Sequence, residues 1–195
     1  SWPMMAGGVF NWGYYASQRW ALELFVSTAD VGKFYALTQI TYSPISMAGA
    51  LFMSMLVPIL YARAGDPGNH QRIANVRGIV LKIASLGLVA TFLLAGITFF
   101  WHEEIFKLFV AQQYLGLSVY MPLVVISAGL LQSSIAMGSI LTSVNKTNKV
   151  LPLAIYGQSL IIILNMVLTH LYGIMGLLFS MTFGAGLHII WMYSI

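Results

Sequence analysis

The chain has 195 residues, of which 59% are hydrophobic and only 7% are Asp, Glu, Lys or Arg, whereas soluble globular domains usually carry about 25% charged residues. So few charges cannot cover a surface that faces water, and the mean hydropathy of +0.84 indicates an integral membrane protein. The net charge of +4 does not indicate nucleic-acid binding, because the nine Lys and Arg residues form no basic stripe. The absence of cysteine excludes disulfides, thiolate metal sites and cysteine nucleophiles.

Six stretches are long and apolar enough to cross about 30 Å of hydrocarbon as helices. The sequence therefore predicts an all-α integral membrane bundle in which residues 1–195 form a single six-helix lobe. The predicted spans are residues 3–26, 34–61, 79–101, 115–144, 150–171 and 174–195. Because the chain begins at Ser1 with no signal-peptide pattern, we expect it to be part of a longer polypeptide.

The segments between the predicted spans are polar. Residues 62–72 contain an Asp-Pro-Gly cluster, which is typical of a loop in water, and a short interfacial helix with Arg77 and Lys82 is expected to follow. Residues 102–110 have an amphipathic pattern that predicts a segment lying along the membrane surface. Pro122 predicts a tilt or kink in the fourth span, and residues 145–149 predict a tight polar link.

The positions of the cations predict the orientation of the chain. If the first span begins in the cytoplasm, six cations follow the second and fourth spans, whereas only Lys33 and Lys107 lie on the opposite side. The positive-inside rule then places both ends in the cytoplasm. The six cytoplasmic cations are Arg63, Arg72, Arg77, Lys82, Lys146 and Lys149.

Two charges and an amide lie inside the first predicted span: Gln18, Arg19 and Glu23. A charge in the centre of the bilayer costs at least ~2.5–3.5 kcal/mol, so we expect these side chains to face a protein-lined or water-filled interior. Arg19 and Glu23 are four residues apart and can pair on one helix face. Two interpretations stay open. The pair permits insertion of the helix, or Arg19 donates to a passing phosphate or carboxylate while Glu23 holds it in place.

Further polar side chains on the first two spans can offer hydroxyls and amides to a sugar-like substrate, although aromatic belts and helix packing explain most tyrosines in membranes. These candidates are Tyr14, Tyr15, Gln18, Tyr35, Gln39 and Tyr42. For Asn165, Gln132 and Gln158 the default role is hydrogen bonding between helices.

Signatures of catalysis are missing from the sequence. The four histidines have no metal-ligand spacing on one helix face, so no metal site is predicted. There is no Gly-x-Ser-x-Gly elbow, no pair of carboxylates suited to acid and base catalysis, and no phosphate-binding glycine-rich loop. We therefore expect neither an enzyme nor a bound cofactor.

Several short motifs are similar to those of one transporter family. Arg19 is followed, after a polar turn, by the run Val31-Gly32-Lys33-Phe34-Tyr35-Ala36-Leu37. The remaining points of likeness are Pro58, Phe109, Tyr114, Lys146-Thr147, Leu164-Asn165 and the pair Gly173 and Gly176. Together they resemble the second half of polysaccharide and O-antigen flippases of the multidrug/oligosaccharidyl-lipid/polysaccharide exporter superfamily.

The resemblance implies the carboxy-terminal half of a twelve-to-fourteen-helix transporter, packed against an amino-terminal six-helix lobe of the same polypeptide around a central cavity. It implies export of an undecaprenyl-pyrophosphate-linked oligosaccharide across the bacterial cytoplasmic (inner) membrane by alternating access. Arg19 matches the family's cavity-facing arginine and would attract the pyrophosphate or an acidic sugar. Gln18 departs from the family, which often has Asp at this position, so Glu23 would have to replace that carboxylate in any ion coupling.

Three other functions are compatible with a membrane bundle. A cation-coupled multidrug exporter of the same superfamily would need intramembrane carboxylates, of which Glu23 is the one candidate. A membrane-embedded polysaccharide-modifying enzyme would need a large catalytic loop, whereas the longest loop here is residues 62–75. A structural scaffold would leave Arg19 with no role beyond an ion pair.

Overall fold

The computed structural model describes residues 2–64, 70–143 and 151–194, and these ranges are helical except at the connections 26–27 and 110–111. The all-α class predicted from the sequence is therefore confirmed for the described residues. The α-helices are α1 (Trp2–Phe25), α2 (Thr28–Ala64), α3 (His70–Phe109), α4 (Met121–Ser143) and α5 (Gln158–Ser194). A 3-10 helix, Gln112–Tyr120, leads into α4, and a π-helical turn, Leu153–Gly157, leads into α5.

Within the described residues, four helical segments are long and apolar enough to cross a membrane. They are Thr28–Arg63, Ala74–Phe109, Tyr114–Ser139 and Ala154–Ser194. Such helices fit a multi-pass membrane protein. The 24-residue helix α1 is not among them. Besides Gln18, Arg19 and Glu23, it contains Asn11 and several glycines, tyrosines and tryptophans, which together lower its mean hydropathy.

Helix α3 corrects one expectation from the sequence. Arg77 and Lys82 lie in the first turns of a continuous helix that begins at His70, so no separate interfacial helix precedes the third span. The helix changes direction at Trp101, where φ is −119° and ψ is 21°. After that kink, Phe106 is fully buried while Leu108 and Phe109 are exposed. Residues 102–110 therefore place Phe106 in the core with Ile105 and Val110 packed against the same cluster, and their apolar residues do not share a single face.

Pro122 does not kink the fourth span. It is the second residue of α4, in the first helical turn, where a missing backbone N–H removes no intrahelical hydrogen bond. The chain before it, where the fourth span was predicted to begin as α-helix, forms the 3-10 helix instead. The predicted link at residues 145–149 lies outside the described residues, as do residues 65–69 of the predicted loop.

Helix α5 folds back on itself at Gly173, which has φ 60° and ψ −140°, a conformation that favours glycine. Residues before the break contact residues after it, and the sequence separation of these pairs increases with distance from Gly173, as in an antiparallel helical hairpin. They connect Leu168 to Gly176, Asn165 to Ser180, and Ile161 to Gly184. The backbones of Leu168 and Gly176 approach so closely that a Cβ on Gly176 would overlap the Leu168 carbonyl.

Other contacts fix the relative direction of the remaining helices. Helix α1 runs parallel to the first half of α5, because residues at a nearly constant offset meet along its length: Gly7 and Ala154, Gly13 and Ile162, Ser17 and Asn165, Val26 and Gly173. Helix α4 runs parallel to the second half of α5, with Ser134 near His188 and Gly138 near Met192. Helix α3 is antiparallel to α4, with Gly87 near Ser133 and His102 bonded to Ser118.

The main cluster of buried apolar side chains lies at the end of the bundle that contains the α1–α2 turn and the break at Gly173. Phe106 lies there in a cluster with residues from α1, α2, the 3-10 helix, α4 and the second half of α5. Its buried members are Leu22, Val31, Phe34, Leu37, Phe106, Leu117, Met121, Val124, Leu177, Leu178 and Met181. Because helices from the whole chain meet in this cluster, it positions the neighbouring part of α1, which includes Arg19.

Candidate functional site

Helix α1 carries a line of four exposed polar side chains: Asn11, Tyr15, Arg19 and Glu23. Their spacing of four residues places them on one side of the helix, with about 6 Å of rise between successive members. We call this line the polar ridge. Its members lie on the surface of the lobe, and Asn11 and Tyr15 also border a cavity between α1, α4 and α5.

Arg19 and Glu23 pair at one end of the ridge, as their spacing predicts. Nε of Arg19 donates to Oε1 of Glu23 across 3.0 Å, and the two side chains are 60% and 33% exposed. This bond uses only the Nε–H, so the N–H groups of both terminal nitrogens remain for a ligand. Arg19 lies six residues before the end of α1, which is about 9 Å along the axis.

Helix α2 extends the polar surface next to the ridge. Tyr35 is 49% exposed and lies within electrostatic range of Arg19. Gln39 is exposed one turn further along α2 and accepts a hydrogen bond from Ser43 Oγ at 3.3 Å. We call the ridge together with Tyr35 and Gln39 the polar face. The structure therefore places five of the eight candidates from the sequence on one surface, whereas Tyr14 and Tyr42 are partly buried and do not belong to it.

Gln18 also lies outside the polar face, since it is only 6% exposed. Consecutive residues on a helix point about 100° apart, so Gln18 faces into the lobe where Arg19 faces out. Among the described residues, no acceptor pairs with its buried Nε2. The sequence analysis treated Gln18 and Arg19 as neighbours in one site, whereas the structure separates them.

A buried hydrogen-bond network holds α1 against both halves of α5. Asn165 is fully buried, and its Nδ2 donates to Ser17 Oγ across 2.7 Å. Ser180 Oγ donates to Oδ1 of the same amide. The default role predicted for Asn165, hydrogen bonding between helices, is confirmed. This network fixes the register of α1 and thereby the position of the polar ridge.

A larger and a smaller cavity lie among the described helices. The larger, about 520 Å³, is a mainly apolar crevice between α2, α3 and α4, lined by small residues such as Gly87 and Gly129. Gln132 packs across Gly49 in its wall. The smaller, about 110 Å³, lies between α1, α4 and α5 and is lined by Asn11, Tyr15 and several other polar side chains. Only the smaller cavity adjoins the polar ridge.

Metal-ligating side chains do not cluster in threes anywhere in the described ranges. The structure does reveal one polar residue that the sequence analysis missed, namely Asn11. Steps of four residues back from Glu23 through Arg19 and Tyr15 lead to Asn11. The helical spacing in the sequence is therefore enough to identify it. His188 also lines the smaller cavity, although its sequence position near a predicted span end suggested no site.

Comparison with known proteins returned no relative: no protein-family model, no curated protein and no solved structure matches the chain. The function must therefore be argued from the chemistry of the polar face and of the cavity beside it. Three properties matter for that argument. The surface is polar within an otherwise apolar bundle, it carries a guanidinium with free donors, and it adjoins a cavity with uncharged polar walls.

Proposed function

We propose that this chain is one lobe of an alternating-access transporter that moves a lipid-linked anionic oligosaccharide across a membrane. The observation that carries the proposal is the exposed Arg19 on the polar face. The cargo class that fits best is an undecaprenyl-pyrophosphate-linked oligosaccharide such as an O-antigen unit. The membrane is then the bacterial cytoplasmic membrane, and the chain binds and translocates its cargo without changing it chemically.

The polar face is the first support, because it cannot border lipid at low cost. Charged side chains inside membrane proteins face a bundle interior or a water-filled cavity. Arg19 and Glu23 lie on the outside of this lobe. They are not at the end of α1 but up to two turns before it. Hence a second protein surface, with water between the two, is needed opposite the polar face. The amino-terminal six-helix lobe of the same polypeptide is the proposed partner.

The chemistry of Arg19 is the second support. A guanidinium matches the oxygens of a phosphate with two parallel hydrogen bonds, and its charge is constant at physiological pH. Glu23 takes the Nε–H and thereby holds the planar group in one orientation. Tyr35 and Gln39 add a hydroxyl and an amide beside it. Such a surface selects an anionic, hydrogen-bonding headgroup while the prenyl tail stays in lipid.

The direction of the helices is the third support. The contacts described above show that α1, α3 and the first half of α5 run in one direction, and that α4 and the second half of α5 run in the other. We propose that α2 runs opposite to its neighbours α1 and α3, so that six segments alternate in direction along the chain. We propose that all six cross the membrane, α1 included, since its 24 residues are long enough. Both ends of the chain then lie on one side, which the positive-inside rule assigns to the cytoplasm.

The structure gives less support to a cation-coupled multidrug exporter. Such a transporter needs a carboxylate that is free to bind a proton or Na⁺ in the membrane. Glu23 is paired with Arg19 and partly exposed. A surface on which the guanidinium is more exposed than its carboxylate partner favours anionic cargo over cationic drugs.

Complementation with the full-length gene tests the proposal. In cells that lack the chromosomal copy, Arg19→Ala is expected to abolish export of surface glycan, while Arg19→Lys retains part of it, because the charge survives but the fork-shaped geometry does not. Each variant is compared at equal protein amount in the membrane.

Lys107→Ala is the matched control. Lys107 forms an equivalent pair four residues from Glu103, at 3.5 Å and 51% exposed, near the same end of the bundle but off the polar face. We expect it to leave export unchanged. Full export by Arg19→Ala, or equal loss in Arg19→Ala and Lys107→Ala, would exclude Arg19 from cargo binding.

A further inference from the structure

The small cavity beside the polar ridge is closed on one side by buried residues and open on the other. Ile161, Gly184 and Ala185 are buried and form its deep wall, whereas Asn11 and Ile135 are exposed at its rim. The opening therefore lies on the same surface of the lobe as the polar ridge. Its volume of about 110 Å³ equals that of about four water molecules in the liquid. This is less than the ~300 Å³ minimum of typical ligand pockets, so it suits one part of a larger ligand.

The polar groups that line this cavity include no carboxylate, lysine or arginine. They are Asn11, Tyr14, Tyr15, Gln158 and His188. Each offers a hydrogen-bond donor, an acceptor or both, and none carries a fixed charge. The chemistry fits a neutral ligand with several hydroxyl groups, held between aromatic and aliphatic walls.

One acceptor in the cavity wall is already desolvated and unpaired. Oε1 of Gln158 is buried and receives no hydrogen bond from any described residue. An unpaired buried acceptor is unfavourable because it has lost its hydrogen bonds to water, and a ligand hydroxyl that donates to it restores one. His188 is held by a 3.3 Å contact between its Nδ1 and Ser134 Oγ, which leaves the other ring nitrogen for a ligand. The cavity is thus prepared for hydroxyl groups.

The cavity and Arg19 are separated by a fixed distance along one helix. Asn11 and Arg19 are eight residues apart, which is about 12 Å of rise. Tyr15 lies between them on the ridge and also lines the cavity. A ligand that joins a neutral sugar to an anionic group over that distance can contact both places at once.

We propose that the small cavity is a sugar subsite, which binds one face of a sugar ring of the cargo while Arg19 binds its pyrophosphate. The proposal rests on the function proposed above and adds the second recognition element. Two sites then share recognition of the cargo: Arg19 binds the charged pyrophosphate common to all such cargo, and the cavity binds the hydroxyl groups of the sugar. Cargo that carries only the pyrophosphate is held by Arg19 alone.

Binding to the purified full-length protein in detergent tests this division. Two probes are titrated: a short-chain prenyl pyrophosphate, and the same molecule with one N-acetylhexosamine attached to the pyrophosphate. We expect the sugar to tighten binding about tenfold, which corresponds to 1.4 kcal/mol. Gln158→Leu should abolish that gain and leave the affinity for the bare pyrophosphate unchanged. Arg19→Gln should weaken both probes by the same factor.

Gln132→Leu is the matched control, because Gln132 lies on α4 at the other, apolar cavity and should affect neither probe. If Gln158→Leu does not fold, Asn11→Leu replaces it, since Asn11 is exposed at the rim of the cavity. Equal affinity of the wild-type protein for both probes, or a loss in the cavity variant for both, overturns the sugar subsite and leaves the transporter proposal standing. Failure of the wild-type protein to bind either probe overturns the transporter proposal itself.

Discussion

Substitution of Asn165 by leucine tests whether the buried network holds α1 in place. Leucine has as many side-chain heavy atoms as asparagine, so the change removes two interhelical hydrogen bonds without leaving a large cavity. Ser17 Oγ keeps its bond to the Tyr14 carbonyl at 2.8 Å, and Ser180 Oγ keeps the Leu177 carbonyl at 2.8 Å. Neither serine is left unsatisfied, so the cost consists of the two lost bonds and the small repacking that the bulkier methyl groups require.

The expected loss of stability is about 1 to 2 kcal/mol, since hydrogen bonds between membrane helices average about 0.6 kcal/mol and reach about 1.7 kcal/mol. Reversible unfolding of the full-length protein by SDS in mixed micelles measures it. A double-mutant cycle sharpens the result. Ser17→Ala and Asn165→Leu share one bond and should be less than additive, whereas Ser134→Ala, which lies at His188, should add to Asn165→Leu. Full additivity of the first pair, or no loss in Asn165→Leu, would refute the role of the network.

Three further predictions address the break, the core and the ion pair. Gly173→Ala should cost about 1–3 kcal/mol, because φ 60° with ψ −140° is a conformation that residues with a Cβ rarely adopt. Gly186→Ala, at a helical position with open space around it, should not destabilise, and thermal unfolding compares the two variants. Phe106→Ala should cost about 3–5 kcal/mol and the exposed Phe109→Ala far less, and equal losses would contradict the described core. Glu23→Gln should reduce export but hardly change membrane protein amount, because Arg19 borders water; a collapse in amount would indicate a lipid-facing arginine.

Much of the fold follows from local chemistry. The end of α1 at Phe25, the change of direction at Trp101 and the break at Gly173 fall where apolar stretches meet polar residues or glycine. Packing decided the features that the sequence analysis did not predict. The 3-10 helix before α4 places Leu117 in the main core cluster, a gain that no local pattern reveals.

The site was predictable only where one helix determines it. The Arg19 and Glu23 pair depends on a spacing of four within α1, and the structure has it as expected. Which way each side chain faces depends on the neighbouring helices, so the burial of Gln18 did not follow from the sequence. The walls of the small cavity come from three helices. Asn11 on α1 and His188 on α5 line it together because α5 packs beside α1 and α4.

Accessibility of single cysteines to a charged, water-soluble thiol reagent tests the central claim that the polar face borders water inside the membrane. The chain contains no cysteine, so Tyr15→Cys, Arg19→Cys and Leu93→Cys each introduce one thiol into it, with any cysteines elsewhere in the full-length protein replaced. Leu93 is an exposed apolar residue of α3 and serves as the lipid-facing reference. The account predicts rapid labelling at positions 15 and 19 and none at 93. Labelling at neither 15 nor 19 in the full-length protein would contradict it.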